Sequence, residues 1–149
     1  MRARLAVQSS QQEVALREIL LRDKPAPFLA ASAKGTVPVL QLLDSMIDES
    51  RDIMIWALTQ NDPEGWLDMP AEGMNLIATC EGPFKQALDH TKYAVRFPDL
   101  DESEQRDKAM VFLRVLNARL ENARYLMGDQ IRLADMAILP FVRQFANTD

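Results

Sequence analysis

The chain has 149 residues, 48% of them hydrophobic and 26% charged, with 5 glycines and 8 prolines, which excludes a disordered or fibrous protein and fits one ordinary domain or two small ones. Its single cysteine, Cys80, cannot form an internal disulfide, so the chain fits a reducing compartment, and with a single histidine it cannot build a zinc site unaided. A net charge of -5 argues against nucleic acid and anionic membranes as partners, and no apolar run approaches the roughly 18 residues of a membrane span.

Met1–Gln8 reads as the body of a helix, with Leu5 and Ala6 apolar and Arg2 and Arg4 solvated. It lacks the Ser, Thr, Asp or Asn that would satisfy its first N–H groups. Glu13–Ile19 alternates Val14 and Leu16 with polar neighbours and predicts a strand. Lys24–Ala33, rich in alanine with Pro25 near its start, suits a short helix. Thr36–Leu43 and Met46–Asp48 are apolar and β-branched, and the Asp44-Ser45 pair between them predicts a hairpin turn. Asp48-Glu49-Ser50 then caps a helix carrying Ile53, Met54, Trp56 and Ala57 at helical spacing.

Asn61–Gly65 (NDPEG) is turn chemistry and marks the best domain boundary. No strand pattern follows it. Leu76–Cys80 and Pro83–Val95 read as helices, and Phe97-Pro98-Asp99 breaks the run. Ser103–Asn122 is the clearest helix, with Ala109, Phe112, Leu113, Leu116 and Leu120 on one face. Gly128 closes a turn before a last apolar helix, Leu133–Phe145, with Pro140 inside it. The organisation is a small α/β unit followed by an all-α unit.

The first 58 residues hold 7 basic and 7 acidic side chains, so the acidic excess lies wholly in the remainder, and the first unit can accept an anionic small molecule without background repulsion. Within it, Gly35-Thr36-Val37-Pro38-Val39-Leu40 carries the strongest local signal. A proline cannot donate to a strand ladder and belongs at an edge. A cis bond there would leave the Val37 N–H and C=O able to pair with an extended ligand. About ten residues on, Ser50 and the N–H groups of a helix N-terminus favour a carboxylate, and Glu49 complements an ammonium beside it. An extended backbone with a carboxylate and an amine at one end describes a γ-glutamyl peptide. A structural edge proline and plain helix capping account for the two motifs taken singly. Cys80, between Thr79 and Glu81 with no base beside it, reads as an inert thiol, and His90 as a solvated or packing residue.

KGTVPVL at 34–40, IDES at 47–50 and GDQIRLADMAILPFVRQF at 128–145, in that order, resemble the glutathione S-transferase superfamily. MRARLAV is similar to the first helix of its omega-like and stringent-starvation-like bacterial members. The resemblance implies a thioredoxin-like domain over 1–60, incomplete for want of its first strand, and an all-helical domain over 67–149. Glutathione, as substrate, is the ligand it implies. Val37 would pair with its cysteinyl backbone, Glu49 and Ser50 would hold its γ-glutamyl end, and Lys24 matches a lysine that reaches it. Asp135 matches a buried aspartate at the start of the core helix.

Three departures accompany the match. The family's opening strand and thiol-activating Cys, Ser or Tyr would lie before Met1, so no catalytic residue is assigned and normal transferase turnover is not expected. Arg132 stands where the family usually has Ser or Thr, which breaks a capping box at a cost of about 1 kcal/mol. The family also continues beyond Asp149, so the chain reads as truncated at both ends. The resemblance implies a cytoplasmic protein, a homodimer, and an electrophile or a mixed disulfide as second substrate. The alternative is a non-catalytic interaction protein or inactive fragment on the same scaffold.

Overall fold

Helix α1 (Arg2–Ser9) runs where the sequence places it, and its N-terminal residue Met1 supplies no side-chain cap. Its small residues Ala3 and Ala6 are buried, and α1 packs on α3 (Ser50–Gln60), whose buried face is Ile53, Met54, Ala57 and Leu58. Alanines on the facing stripe let two helices approach closely, so Met54 and Leu58 lose almost all their exposure. Each such burial stabilises by about 1.5–3 kcal/mol. Two side-chain bonds hold the far ends of the pair together: Asn61 Nδ2 donates to the Ser10 carbonyl at 3.1 Å, and Ser9 Oγ to Glu64 Oε1 at 3.0 Å. Gln11 ends the α1 turn at φ 58°, a left-handed conformation usually left to glycine.

The computed structural model describes residues 1–32 and 34–148, and the chain divides into two compact units, Met1–Glu64 and Gly65–Asp149. In the first unit α2 (Ala26–Ala31) follows Pro25, as expected; Ala33, the predicted end of that helix, lies outside the described residues. Strands β1 (Leu40–Gln41) and β2 (Met46–Ile47) form an antiparallel hairpin in the register Leu40↔Ile47, Gln41↔Met46. The predicted hairpin forms, but its strands are much shorter than the segments Thr36–Leu43 and Met46–Asp48 and its turn is shifted by one residue. The Leu42 N–H donates to the Ser45 carbonyl at 2.9 Å, so Leu43-Asp44 is the tip rather than Asp44-Ser45.

The strand predicted over Glu13–Ile19 does not form. Val14 and Leu16 alternate correctly yet stand exposed, and among the described residues β1 and β2 pair only with each other. Alternation marks a strand only when a neighbour takes up its N–H and C=O groups, and no described segment does so here.

In the second unit α4 (Ala71–Thr79) passes through a π-helical turn, Cys80–Phe84, into α5 (Lys85–Lys92) and a single 3-10 turn, Ala94–Arg96. Gly82-Pro83 therefore does not separate two helices. Pro83 would lose a hydrogen bond and crowd a carbonyl in regular α geometry; the widened turn, in which the Lys85 N–H reaches back to the Cys80 carbonyl, absorbs it. Helix α6 (Glu102–Leu120) starts at Asp101, whose carboxylate accepts the N–H groups of Ser103 at 2.8 Å and Glu104 at 3.2 Å. Its buried face is Gln105, Ala109, Phe112 and Leu116, whereas Leu120, expected on that face, is exposed.

Helix α7 (Leu133–Ala146) continues through Pro140, with Leu133, Ala134, Ala137, Ile138 and Phe145 buried. At the centre of this unit Phe84 lies 4.9 Å from Phe112 and 5.9 Å from Phe145, ring centre to ring centre. Cys80, buried beside this cluster in sequence, is the core thiol expected of it. His90 packs on Phe97 at 4.5 Å and bonds through Nδ1 with Gln105 Oε1, a packing histidine.

Half of the capping box at α7 survives the Arg132 replacement. Asp135, half-buried rather than buried, accepts the Arg132 N–H at 2.9 Å and also the Leu126 N–H at 2.9 Å. A guanidinium cannot accept in return. It reaches instead to the Gly65 carbonyl, to Gln130 Oε1 at 3.1 Å and to Asp68 at 3.3 Å.

Candidate functional site

Everything the sequence nominated for a site lies in the first unit, around the loop between α2 and β1. Ser32 and Gly35 shape that loop: the Gly35 N–H donates to the Ser32 carbonyl at 2.9 Å, and Gly35 sits at φ 60°, where a side chain would be strained. The Lys24 ammonium lies over Gly35, 3.6 Å from where a Cβ would stand, which puts this otherwise exposed lysine against the loop. Val37-Pro38 is a cis peptide, Val37 is half exposed at 47%, and no described residue hydrogen-bonds its backbone.

The loop meets the start of α3 through a residue the sequence reading did not nominate. Lys34 Nζ donates to Glu49 Oε1 at 2.5 Å and lies 3.8 Å from Asp48 Oδ2. Periodicity carries no trace of this pair, because it spans fifteen residues and joins a loop to a helix end. The hydrogen bond to Glu49, with Asp48 behind it, holds the Lys34 ammonium above its ordinary 10.5; the same bond holds Glu49 below its ordinary 4.5.

Glu49 and Ser50 are at the helix start, with one correction to their roles. Glu49 is the N-cap residue and Ser50 the first helical one, and the Glu49 side chain makes no capping hydrogen bond to α3. Glu49 is turned to Lys34, and Ser50 Oγ accepts from Arg2 Nε at 2.9 Å. Arg2, expected in solvent, is in fact buried at 8% exposed. Helix α1 packs directly on α3, so the first side chain of α1 falls on the first residue of α3. A hydroxyl whose oxygen already accepts a charged donor keeps its hydrogen for a further acceptor. Arg4 is exposed as expected and pairs with Glu18 at 2.6 Å.

The arrangement thus offers an open backbone edge at Val37, a carboxylate at Glu49, a hydroxyl at the helix start at Ser50, and an ammonium at Lys24. Those are complements to an extended peptide with an amine and carboxylates. Among the described residues no group of His, Cys, Asp and Glu is arranged to hold a metal ion, and no helix is long and apolar enough to cross a membrane.

Residues 1–65 match the family "Glutathione S-transferase, N-terminal domain", and residues 89–149 match "Glutathione S-transferase, C-terminal domain". The chain belongs to the glutathione S-transferase superfamily. Glutathione S-transferase F9 of Arabidopsis thaliana is 30% identical over 138 residues, an alignment covering 79% of this chain and 61% of the relative. The chain therefore spans about three fifths of the length of that relative.

An epsilon-class glutathione S-transferase from the housefly, Musca domestica, superposes with a TM-score of 0.80 at 18% identity, covering 97% of this chain and 72% of that one. A glutathione S-transferase-I structure, solved with lactoylglutathione bound, gives 0.72 at 23% identity, covering 99% and 78%. At these identities the superpositions speak for the fold. It is the superfamily's: a thioredoxin-like first domain followed by a helical second domain.

Proposed function

We propose that this chain binds glutathione in its first unit, the γ-glutamyl end at Glu49 and Ser50, the cysteinyl backbone along Val37 and a carboxylate near Lys24. The observation that carries this reading is that the loop bearing the open Val37 backbone lies within reach of the start of α3, close enough for Lys34 to bond Glu49. An extended tripeptide needs both features on one surface. Family membership supports it, as does the glutathione derivative in the superposed transferase structure.

The reaction that follows from the family is conjugation of glutathione, through its sulfur, to an electrophile, or thiol–disulfide exchange with a mixed disulfide. The cytoplasm as its site and a homodimer as its assembly belong to the same proposal. No residue of this chain is assigned the activation of the thiol. The domain limits 1–60 and 67–149 are proposed as the functional division.

Calorimetric titration with glutathione tests the site. Saturable binding by the parent chain, lost in Val37→Pro and weakened about ten- to a hundredfold in Ser50→Ala, is the expected result, since an unmade bond to a carboxylate costs about 1.5–3 kcal/mol. Heat that does not saturate, or that both variants reproduce unchanged, would remove the site.

A further inference from the structure

Glu49 is where an incoming ammonium has to be received, and that place is already taken by a cation of the same chemistry. The Lys34 ammonium lies 2.5 Å from Glu49 Oε1, within 3.8 Å of Asp48, while both members of the Lys34–Glu49 pair remain more than half exposed. A resident primary ammonium on the receiving carboxylate is a competitor for any ligand ammonium. An exposed pair of two long side chains is also weak enough to exchange.

We infer that Lys34 is a specificity-determining residue that occupies Glu49 in the unliganded protein and is displaced by the α-ammonium of the ligand. The inference rests on the glutathione reading and adds to it the selection step at the γ-glutamyl end. The side chain leaves Glu49 when a better-placed ammonium arrives and stays when none does. A ligand with the α-amino group exchanges one ion pair for another. One without it finds Glu49 still neutralised by Lys34 and loses nothing by lacking the amine except the gain. Lys34 therefore flattens the site's preference for the aminated ligand, and its removal steepens it.

The experiment is a pair of titrations on the full chain, with glutathione and with its analogue lacking the α-amino group, for the parent, Lys34→Met and Lys34→Arg. Lys34→Met is expected to bind glutathione up to about fivefold more tightly, the ceiling set by an exposed ion pair. The des-amino analogue should not tighten, because in that variant Glu49 faces it with an uncompensated charge. Lys34→Arg keeps a competing cation and should stay within about twofold of the parent for both ligands. Equal weakening of both ligands in Lys34→Met would overturn the inference, since Lys34 would then be holding a ligand carboxylate. No change for either would overturn it as well. If neither the parent nor Lys34→Met binds glutathione, the glutathione reading falls and this inference with it; binding with the wrong order of affinities removes the inference alone.

Discussion

The two units solve the same problem with different kinds of contact. In the second, α4 to α7 satisfy their backbones internally and need neighbours only for side chains, so Phe84, Phe112 and Phe145 close a core from helices far apart in sequence. In the first, α1 and α3 do that, while the short α2 buries none of its residues. The segment Glu13–Ile19 needs a ladder partner to become a strand, finds none among the described residues, and leaves Val14 and Leu16 exposed. Helical order is local and can be completed residue by residue; strand order depends on a second segment being in place. The same contrast bears on where the proposed site sits: its groups come from a loop backbone and a helix start, not from a strand ladder or a packed core.

The contrast can be broken most directly at Phe84. Phe84→Ala should cost the second unit about 3–5 kcal/mol. Trp66, 3% exposed in that unit, and Trp56, in α3 of the first, give separate fluorescence probes once each is isolated by replacing the other with Phe. Denaturant midpoints that fall at Trp66 and hold at Trp56 support two separately stabilised units; equal falls at both would merge them.

A smaller effect is expected at Asp135, which accepts two backbone N–H groups at 2.9 Å each. Asp135→Ala leaves both donors without that acceptor and should cost about 1.5–3 kcal/mol, seen as a lower midpoint at Trp66. Restoring the family's residue type with Arg132→Ser should not make up the loss, because the Ser hydroxyl serves the other half of the box. Full recovery in the double variant would mean that Asp135 matters only through Arg132. At the lower end of the scale, Leu16→Ser alters an exposed side chain outside any ladder and should stay within about 0.5 kcal/mol of the parent. A loss above 1.5 kcal/mol would show that the segment is packed after all.

The same division governs what could be read from residues alone. Helices α6 and α7 were legible because period 3.6 is local, although Asp101, the residue that caps α6, was not named from the sequence. Gly82-Pro83 misled: local rules say a proline breaks a helix, and whether a π turn absorbs it depends on the packing of Cys80 and Phe84. Glu13–Ile19 misled in the opposite sense, its alternation being sound and its partner lacking among the described residues. In the candidate site Val37, Glu49 and Ser50 were nameable through motif and spacing, and Lys24 only through the family resemblance. Arg2 and Lys34 were not, since each acquires its role only when helix packing or loop closure brings it to α3.

The least effect concerns pH, and it separates the two units at one end of the scale only. Each has an exposed carboxylate held below its ordinary 4.5 by a hydrogen-bonded cation: Glu49 by Lys34 in the first, Glu72 by Arg119 in the second. A depressed carboxylate contributes stability that is complete above about 4.5 and lost as pH falls through the lower folded value, so both pairs weaken together in acid. At the alkaline end they part. Lys34 is raised above 10.5, so its contribution is complete below that value and lost as pH rises through the folded one. A guanidinium, unlike an ammonium, is not deprotonated in proteins. Carbon-detected titration of the glutamate carboxyls should show an alkaline step at Glu49 with no counterpart at Glu72, and Lys34→Arg should abolish it while leaving the acid step in place. An alkaline step at Glu49 that persists in Lys34→Arg would mean another group titrates there and that Lys34 does not hold the carboxylate in solution.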